Sequence, residues 1–197
     1  MNTNAPTTNF TLPNFLSAYR LASFPLLIWL IYSQNEGVFA WILCINLITD
    51  ILDGWIARTF KLQTDLGARL DSLADYGTYI AAVSGIYTFK YEELGSLGWM
   101  LWVFIGLILL YNLISFLKFK KFPSLHMYST RVGGYIQGIF FFILFADDYY
   151  MGLYLTAMIW GFLSAIEEII VLLVLPQLIS NAKGLYWVLK NRPNQQK

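Results

Sequence analysis

The chain has 197 residues, 57% of them hydrophobic and 13% charged, with a formal net charge of +1 at pH 7. The length suits one domain spanning 1–197, the composition is too apolar for a soluble one, and the charge balance excludes a nucleic-acid partner. A single cysteine, Cys44, excludes an internal disulfide. The polar opening MNTNAPTTNFTL lacks a basic n-region and a small-residue cleavage site, so no signal peptide is expected and the first apolar stretch is retained. Residues 1–11 and 191–197 are expected to be mobile ends. After a short N-terminal interfacial amphipathic segment, six apolar stretches follow at roughly 21–33, 38–57, 72–90, 97–117, 132–147 and 151–175. Each is near the ~20 residues that cross a bilayer as a helix. The expected fold is therefore all-α, an integral, multi-pass membrane bundle of six transmembrane helices.

Basic residues test the orientation, because Lys and Arg accumulate on cytoplasmic flanks. An even number of spans puts both termini on one side. With that side cytoplasmic, it holds 12 of the 13 Lys and Arg, and only Lys90 lies outside. The outer joints carry Glu36, Glu92, Glu93, Asp147 and Asp148 instead.

The second and third stretches meet at TDILDGWIARTFKLQTDLGARLDSLADYG, which is dense in carboxylates. Asp50 and Asp53 are three apart, Asp71 and Asp75 four apart, so on helices each pair shares a face. A short loop makes the helices antiparallel and lets the faces converge. Four carboxylates in one intramembrane cavity would repel one another, and each costs about 3 kcal/mol to insert. A cation is the natural compensation. Oxygen ligands without Cys or His favour a hard divalent metal, Mg²⁺ or Mn²⁺, and four carboxylates allow two ions. Arg58 marks the cytoplasmic end, with Asp50 eight residues or ~12 Å before it, which opens the site to the cytoplasmic headgroup layer. Gly54 and Ala57 admit close approach, Arg58 can fork onto a diphosphate, and Gly67 suits a turn or a nearby nucleotide.

Asp50-x-x-Asp53-Gly54-x-x-Ala57-Arg58, eight residues, then Gly67-x-x-x-Asp71-x-x-x-Asp75 resembles the full signature of the CDP-alcohol phosphotransferase (phosphatidyltransferase) family. Eight fixed positions match by chance with probability about 10⁻¹⁰ at any start. Pro13-Asn14-x-x-Ser17-x-x-Arg20 and the six-span layout are also similar to the family. The resemblance implies a phospholipid-synthesis enzyme that transfers a phosphatidyl group from CDP-diacylglycerol to the hydroxyl of a small polar alcohol and releases CMP. It implies metal ligation by Asp50, Asp53, Asp71 and Asp75, with Asp75 also the general base. It further implies contacts to the CDP donor from Asn14, Ser17, Gly54, Arg58, Thr64 and Gly67. Direct displacement with inversion is expected, because no nucleophile is paired with a base.

Between the fourth and fifth stretches, Lys118, Lys120, Lys121, His126 and Arg131 lie on the cytoplasmic side. Lys118, Lys121 and Arg131 are candidates to hold a phosphate on the acceptor, which points to glycerol 3-phosphate, with inositol phosphate or another alcohol as alternatives. Ser129-Thr130-Arg131 stands where phosphatidylglycerophosphate synthases carry a Gly-Lys-x-Lys-Thr run. Topology alone also explains the lysines. His126 reads as a local hydrogen-bonding residue, and Glu167 and Glu168 as a structural pair near the cytoplasmic interface. The Trp and Tyr residues read as interface anchors, and Gly134 with Gly138 as a packing or homodimer motif. A non-catalytic transporter or lipid-binding relative that reuses the carboxylates is the competing reading. It has no need of Arg58 or of two glycines at these spacings.

Overall fold

The computed structural model describes residues 11–60, 62, 64–121, 125, 127–178 and 182–191, without the side chains of residues 58, 65, 68 and 191. The expected mobile ends lie almost wholly outside these residues, and so does His126. Among them every regular element is helical: α1 (Leu12–Tyr32), α2 (Glu36–Thr59), α3 (Asp65–Gly85), α4 (Trp99–Phe119), α5 (Tyr128–Ala146), α6 (Met151–Val174) and a short α7 (Leu185–Asn191). The first six track the six apolar stretches. Five of them, all but α3, are long and apolar enough to cross a membrane. α3 equals α1 in length at 21 residues, but Asp65, Arg69, Asp71 and Asp75 make it too polar to count on composition. Many large apolar side chains remain exposed, among them Trp41, Leu109, Leu163 and Leu173, as a lipid-facing surface requires.

The residues expected as a separate amphipathic segment are instead the first turns of α1. Thr11 caps that helix, its side chain accepting from the Asn14 amide, and Pro13 occupies the first turn where a missing N–H costs nothing. The polarity that suggests an amphipathic segment belongs to Asn14, Ser17, Arg20 and Ser23, which are all buried. They turn inward against protein, so the helix runs on through Pro25 without a break.

Two compact units make up the chain. One holds α1, α2, α3, the connection to Glu93 and residues Phe141–Asp148. Within it α1 lies along both α2 and α3. Leu27, Phe39, Leu43, Ala74, Ala81, Ala82 and Ile86 are fully buried. Gly85 lets the Phe39 ring close on α3, because a Cβ there would stand 2.4 Å from it. Phe39 then packs on Phe89 and Phe145 at centroid distances of 5.4 and 5.3 Å. α3 passes through a π-helical turn, Ile86–Lys90, into the segment Glu92–Leu97. Gly95 makes a kink inside that segment at φ +52°, a conformation favouring glycine.

The other unit holds Leu94–Phe140 and the chain from Tyr149 onward. α4 packs along α6, and Gly161 gives room for the Phe104 ring. Leu125, Met127, Val171, Leu172, Leu175, Ala182 and Val188 form a core that docks α7 onto the end of α6. Lys118 donates to the carbonyls of Leu172 and Leu173 at 2.9 and 2.8 Å, capping α6.

Candidate functional site

The four aspartates converge, and they do so on one side chain of α1. Asp50 and Asp53 come from α2, Asp71 and Asp75 from α3, and the Arg20 guanidinium lies among them. Its Nη1 donates to Asp75 Oδ1 at 2.8 Å and to Asp50 Oδ1. Its Nη2 donates to Asp53 Oδ2 at 2.9 Å and to Asp71 Oδ1 at 2.7 Å. Each nitrogen therefore bridges α2 to α3. Such charge-assisted bonds are about twice as strong as neutral ones, and only a planar fork can make four at once.

Exposure sorts the cluster into a floor and a rim. The Arg20 side chain is 0% exposed and that of Asp53 3%, whereas Asp50, Asp71 and Asp75 are 44%, 45% and 52% exposed. Ser17, one turn before Arg20, donates to Asp53 Oδ2 at 3.0 Å and completes the floor. Behind it, Asn46 of α2 donates to Ser23 Oγ at 2.7 Å, and Ser23 donates to the Arg20 carbonyl at 2.8 Å. Four carboxylates against one guanidinium leave three uncompensated negative charges. Asp50, Asp53 and Asp71 offer oxygens that all lie within 4.8 Å of one another. An all-oxygen set of this charge suits a hard divalent cation, so the residues fit a metal.

Asn14, Thr64 and Gly67 form a second knot near the start of α3. Thr64 caps that helix, accepting from the Gly67 amide at 3.0 Å, and Asn14 Nδ2 donates to the same oxygen at 3.0 Å. A Cβ on Gly67 would stand 2.2 Å from Asn14 Oδ1. The glycine thus gives room to the asparagine of α1, a reason the sequence did not disclose. Gly54 is half-buried on α2, next to Asp53. Arg58 lies on the last turns of α2, with its side chain outside the described residues.

In the other unit Lys118 is committed to the α6 carbonyls. Lys121 and Arg131 are exposed, and the Arg131 guanidinium stands 6.0 Å from the Tyr128 ring centroid. Glu167 accepts from Ser129 Oγ and, at 2.8 Å, from the Leu185 amide, tying α7 to α6.

Sequence reading placed Arg20 on the cytoplasmic side and at the end of the family-like run Pro13-Asn14-x-x-Ser17-x-x-Arg20, but gave it no role in the site. Its signal was the polar series Asn14, Ser17, Arg20, Ser23, each about one turn from the next on an otherwise apolar helix.

Fold and site together define a multi-pass membrane protein whose helices bring together a carboxylate cluster that could hold a metal ion. The family model for CDP-alcohol phosphatidyltransferase matches residues 10–179, and the chain belongs to that family. Similar proteins include a cardiolipin synthase (CMP-forming) / mitochondrial hydrolase fusion protein of Schizosaccharomyces pombe, 35% identical over 119 residues, 58% of this chain and 19% of that one. A cardiolipin synthase (CMP-forming) of Streptomyces coelicolor is 35% identical over 82 residues, 39% of this chain and 38% of that one. A CDP-diacylglycerol–glycerol-3-phosphate 3-phosphatidyltransferase of Rickettsia bellii is 37% identical over 67 residues, 32% of this chain and 37% of that one. The chain thus spans well under two thirds of the length of each of these relatives. No solved structure is significantly similar to it.

Proposed function

We propose that this protein transfers the phosphatidyl group of CDP-diacylglycerol to the hydroxyl of a small polar alcohol and releases CMP, with a site open to the cytoplasm. The observation that carries the reading is the convergence of Asp50, Asp53, Asp71 and Asp75 from two helices. The family match supports it. Asp50, Asp53, Asp71 and Asp75 would hold Mg²⁺ or Mn²⁺, and two ions fit their charge. When bound, the metal neutralises the diphosphate and polarises the phosphorus–oxygen bonds.

The protein's own residues supply the remaining roles. Asp75 stands outside the tight trio of oxygens and is the most exposed of the four, which suits a base that must reach an incoming hydroxyl. It takes the hydroxyl proton as the acceptor oxygen bonds to the phosphorus bearing the diacylglycerol. The bond from that phosphorus to the bridging oxygen breaks, and CMP leaves with the electron pair. Arg58, Gly54, Thr64, Gly67, Asn14 and Ser17 hold the CDP end. The Asn14–Thr64–Gly67 knot supports this, because Asn14 lies one turn before Ser17 on α1 and Gly67 one turn before Asp71 on α3. The acceptor is phosphate-bearing, most simply glycerol 3-phosphate, with Lys121 and Arg131 as candidate partners on sequence grounds, since Lys118 is engaged elsewhere. A homodimer through Gly134 and Gly138 fits the open space at both positions.

The relatives named as cardiolipin synthases favour a second acceptor reading, in which the hydroxyl belongs to phosphatidylglycerol and the product is cardiolipin. CMP release by purified protein with CDP-diacylglycerol and Mg²⁺ or Mn²⁺ tests both. The panel is glycerol 3-phosphate, phosphatidylglycerol, inositol phosphate, inositol, serine and glycerol. Turnover with glycerol 3-phosphate is expected. Turnover only with phosphatidylglycerol selects the second reading, and silence across the panel overturns both.

A further inference from the structure

We propose that Arg20 is a built-in counter-cation for the aspartate cluster, a positioning residue that assembles the four carboxylates and competes with the divalent metal for them. The inference rests on the metal-dependent reading above and goes beyond it, since it assigns a role to a residue of α1. Three observations carry it. The guanidinium engages one oxygen of every carboxylate and joins α2 to α3 through each of its two Nη atoms. It does so with no solvent exposure, beneath three carboxylates that are open on their outer side. Its Nε finds no acceptor among the described residues, so the carboxylates alone hold the guanidinium in place.

The physical consequence follows from charge. Without Arg20 four carboxylates would face one another across a short distance, and only a bound cation could offset their mutual repulsion and hold α2 to α3. With it, the cluster keeps three negative charges in a defined geometry. A divalent cation that binds the same oxygens must share them with a fixed positive charge, which lowers its affinity. Arg20 thereby exchanges tightness of metal binding for a cluster already in register. A residue that only glued helices together would act in the opposite direction, since its loss would loosen the metal site.

The test is Mn²⁺ binding to purified protein in detergent, followed by electron paramagnetic resonance of free Mn²⁺, on wild type, Arg20→Lys and Arg20→Gln. Lys retains charge but cannot fork onto four carboxylates; Gln removes the charge. Affinity is expected to rise in that order, by about threefold in Arg20→Lys and about tenfold or more in Arg20→Gln. Turnover at saturating Mn²⁺ is expected to fall at least tenfold in Arg20→Gln, because the carboxylates are no longer held in register. Unchanged or weaker Mn²⁺ binding in the variants overturns the proposal, and so does wild-type turnover in Arg20→Gln. Should Arg20→Gln fail to fold, the affinity of Arg20→Lys decides alone. If wild type binds no Mn²⁺ while a variant does, the competition stands and the metal reading is revised; if none binds, both fall.

Discussion

Asp75 and Gly67 carry the sharpest expectations for single side chains. Replacing Asp75 by Asn keeps its shape and its reach to Arg20 but removes a base. CMP release should fall by about 10²–10⁴-fold while CDP-lipid binding stays near wild type. Retained turnover in that assay would transfer the base role to another group. Gly67→Ala acts by space instead. Its Cβ would lie 2.2 Å from Asn14 Oδ1 and 2.9 Å from Thr64 Oγ1, so the asparagine must leave the α3 cap. A thermal unfolding measurement should record a loss of about 1–3 kcal/mol, together with weaker CDP-lipid binding. Had Gly67 served only a tight turn, serine or alanine would be tolerated, because its φ is not in the left-handed region.

At the scale of the helices, two lysines belong to the scaffold. Lys118 reaches from α4 to the last carbonyls of α6, where the helix dipole favours a cation. Lys118→Met should lower stability by about 1 kcal/mol and leave the acceptor KM unchanged. A raised acceptor KM at unchanged stability would instead assign it to the acceptor phosphate. Lys90 lies beyond α3 and pairs with Glu36 at the start of α2 and with Glu93, both at 3.0 Å. Burial disfavours its charge, but hydrogen bonding and attraction from the two glutamates outweigh that and raise its pKa. A pKa raised by folding means stability that is fully present below the ordinary lysine value and lost as pH rises through the higher one. Lys90→Met should remove that loss from the alkaline limb of a stability profile, with a small effect near pH 7 of about 0.2–1 kcal/mol.

The whole molecule is testable through its orientation. In a Cys44→Ala background, single cysteines at Lys120 and Lys190 should react with an impermeant maleimide from the cytoplasmic side of sealed vesicles. One at Glu92 should react from the opposite side. Reaction at Glu92 from the cytoplasmic side, with Lys120 and Lys190 reacting from the opposite side, would break the six-span arrangement, leaving α3 as a helix that dips into the membrane without crossing.

Periodicity, hydropathy and residue spacing determined a good deal unaided. The six long helices were legible because apolar runs near 20 residues have few other solutions, and helix ends follow the polar joints to within a few residues everywhere except α1 and the start of α3. The aspartate pairs were legible because their spacing alone puts each on one helical face. Tertiary structure alone decided what lies between those faces. Arg20 is about thirty to fifty-five residues from its four partners, and spacing rules reach only a turn or two along a helix. The same limit hid the contact that makes Gly67 a glycine and the α6 carbonyls that claim Lys118. Local pattern carries the elements and their faces, whereas the partner of a buried charge is a fact of packing.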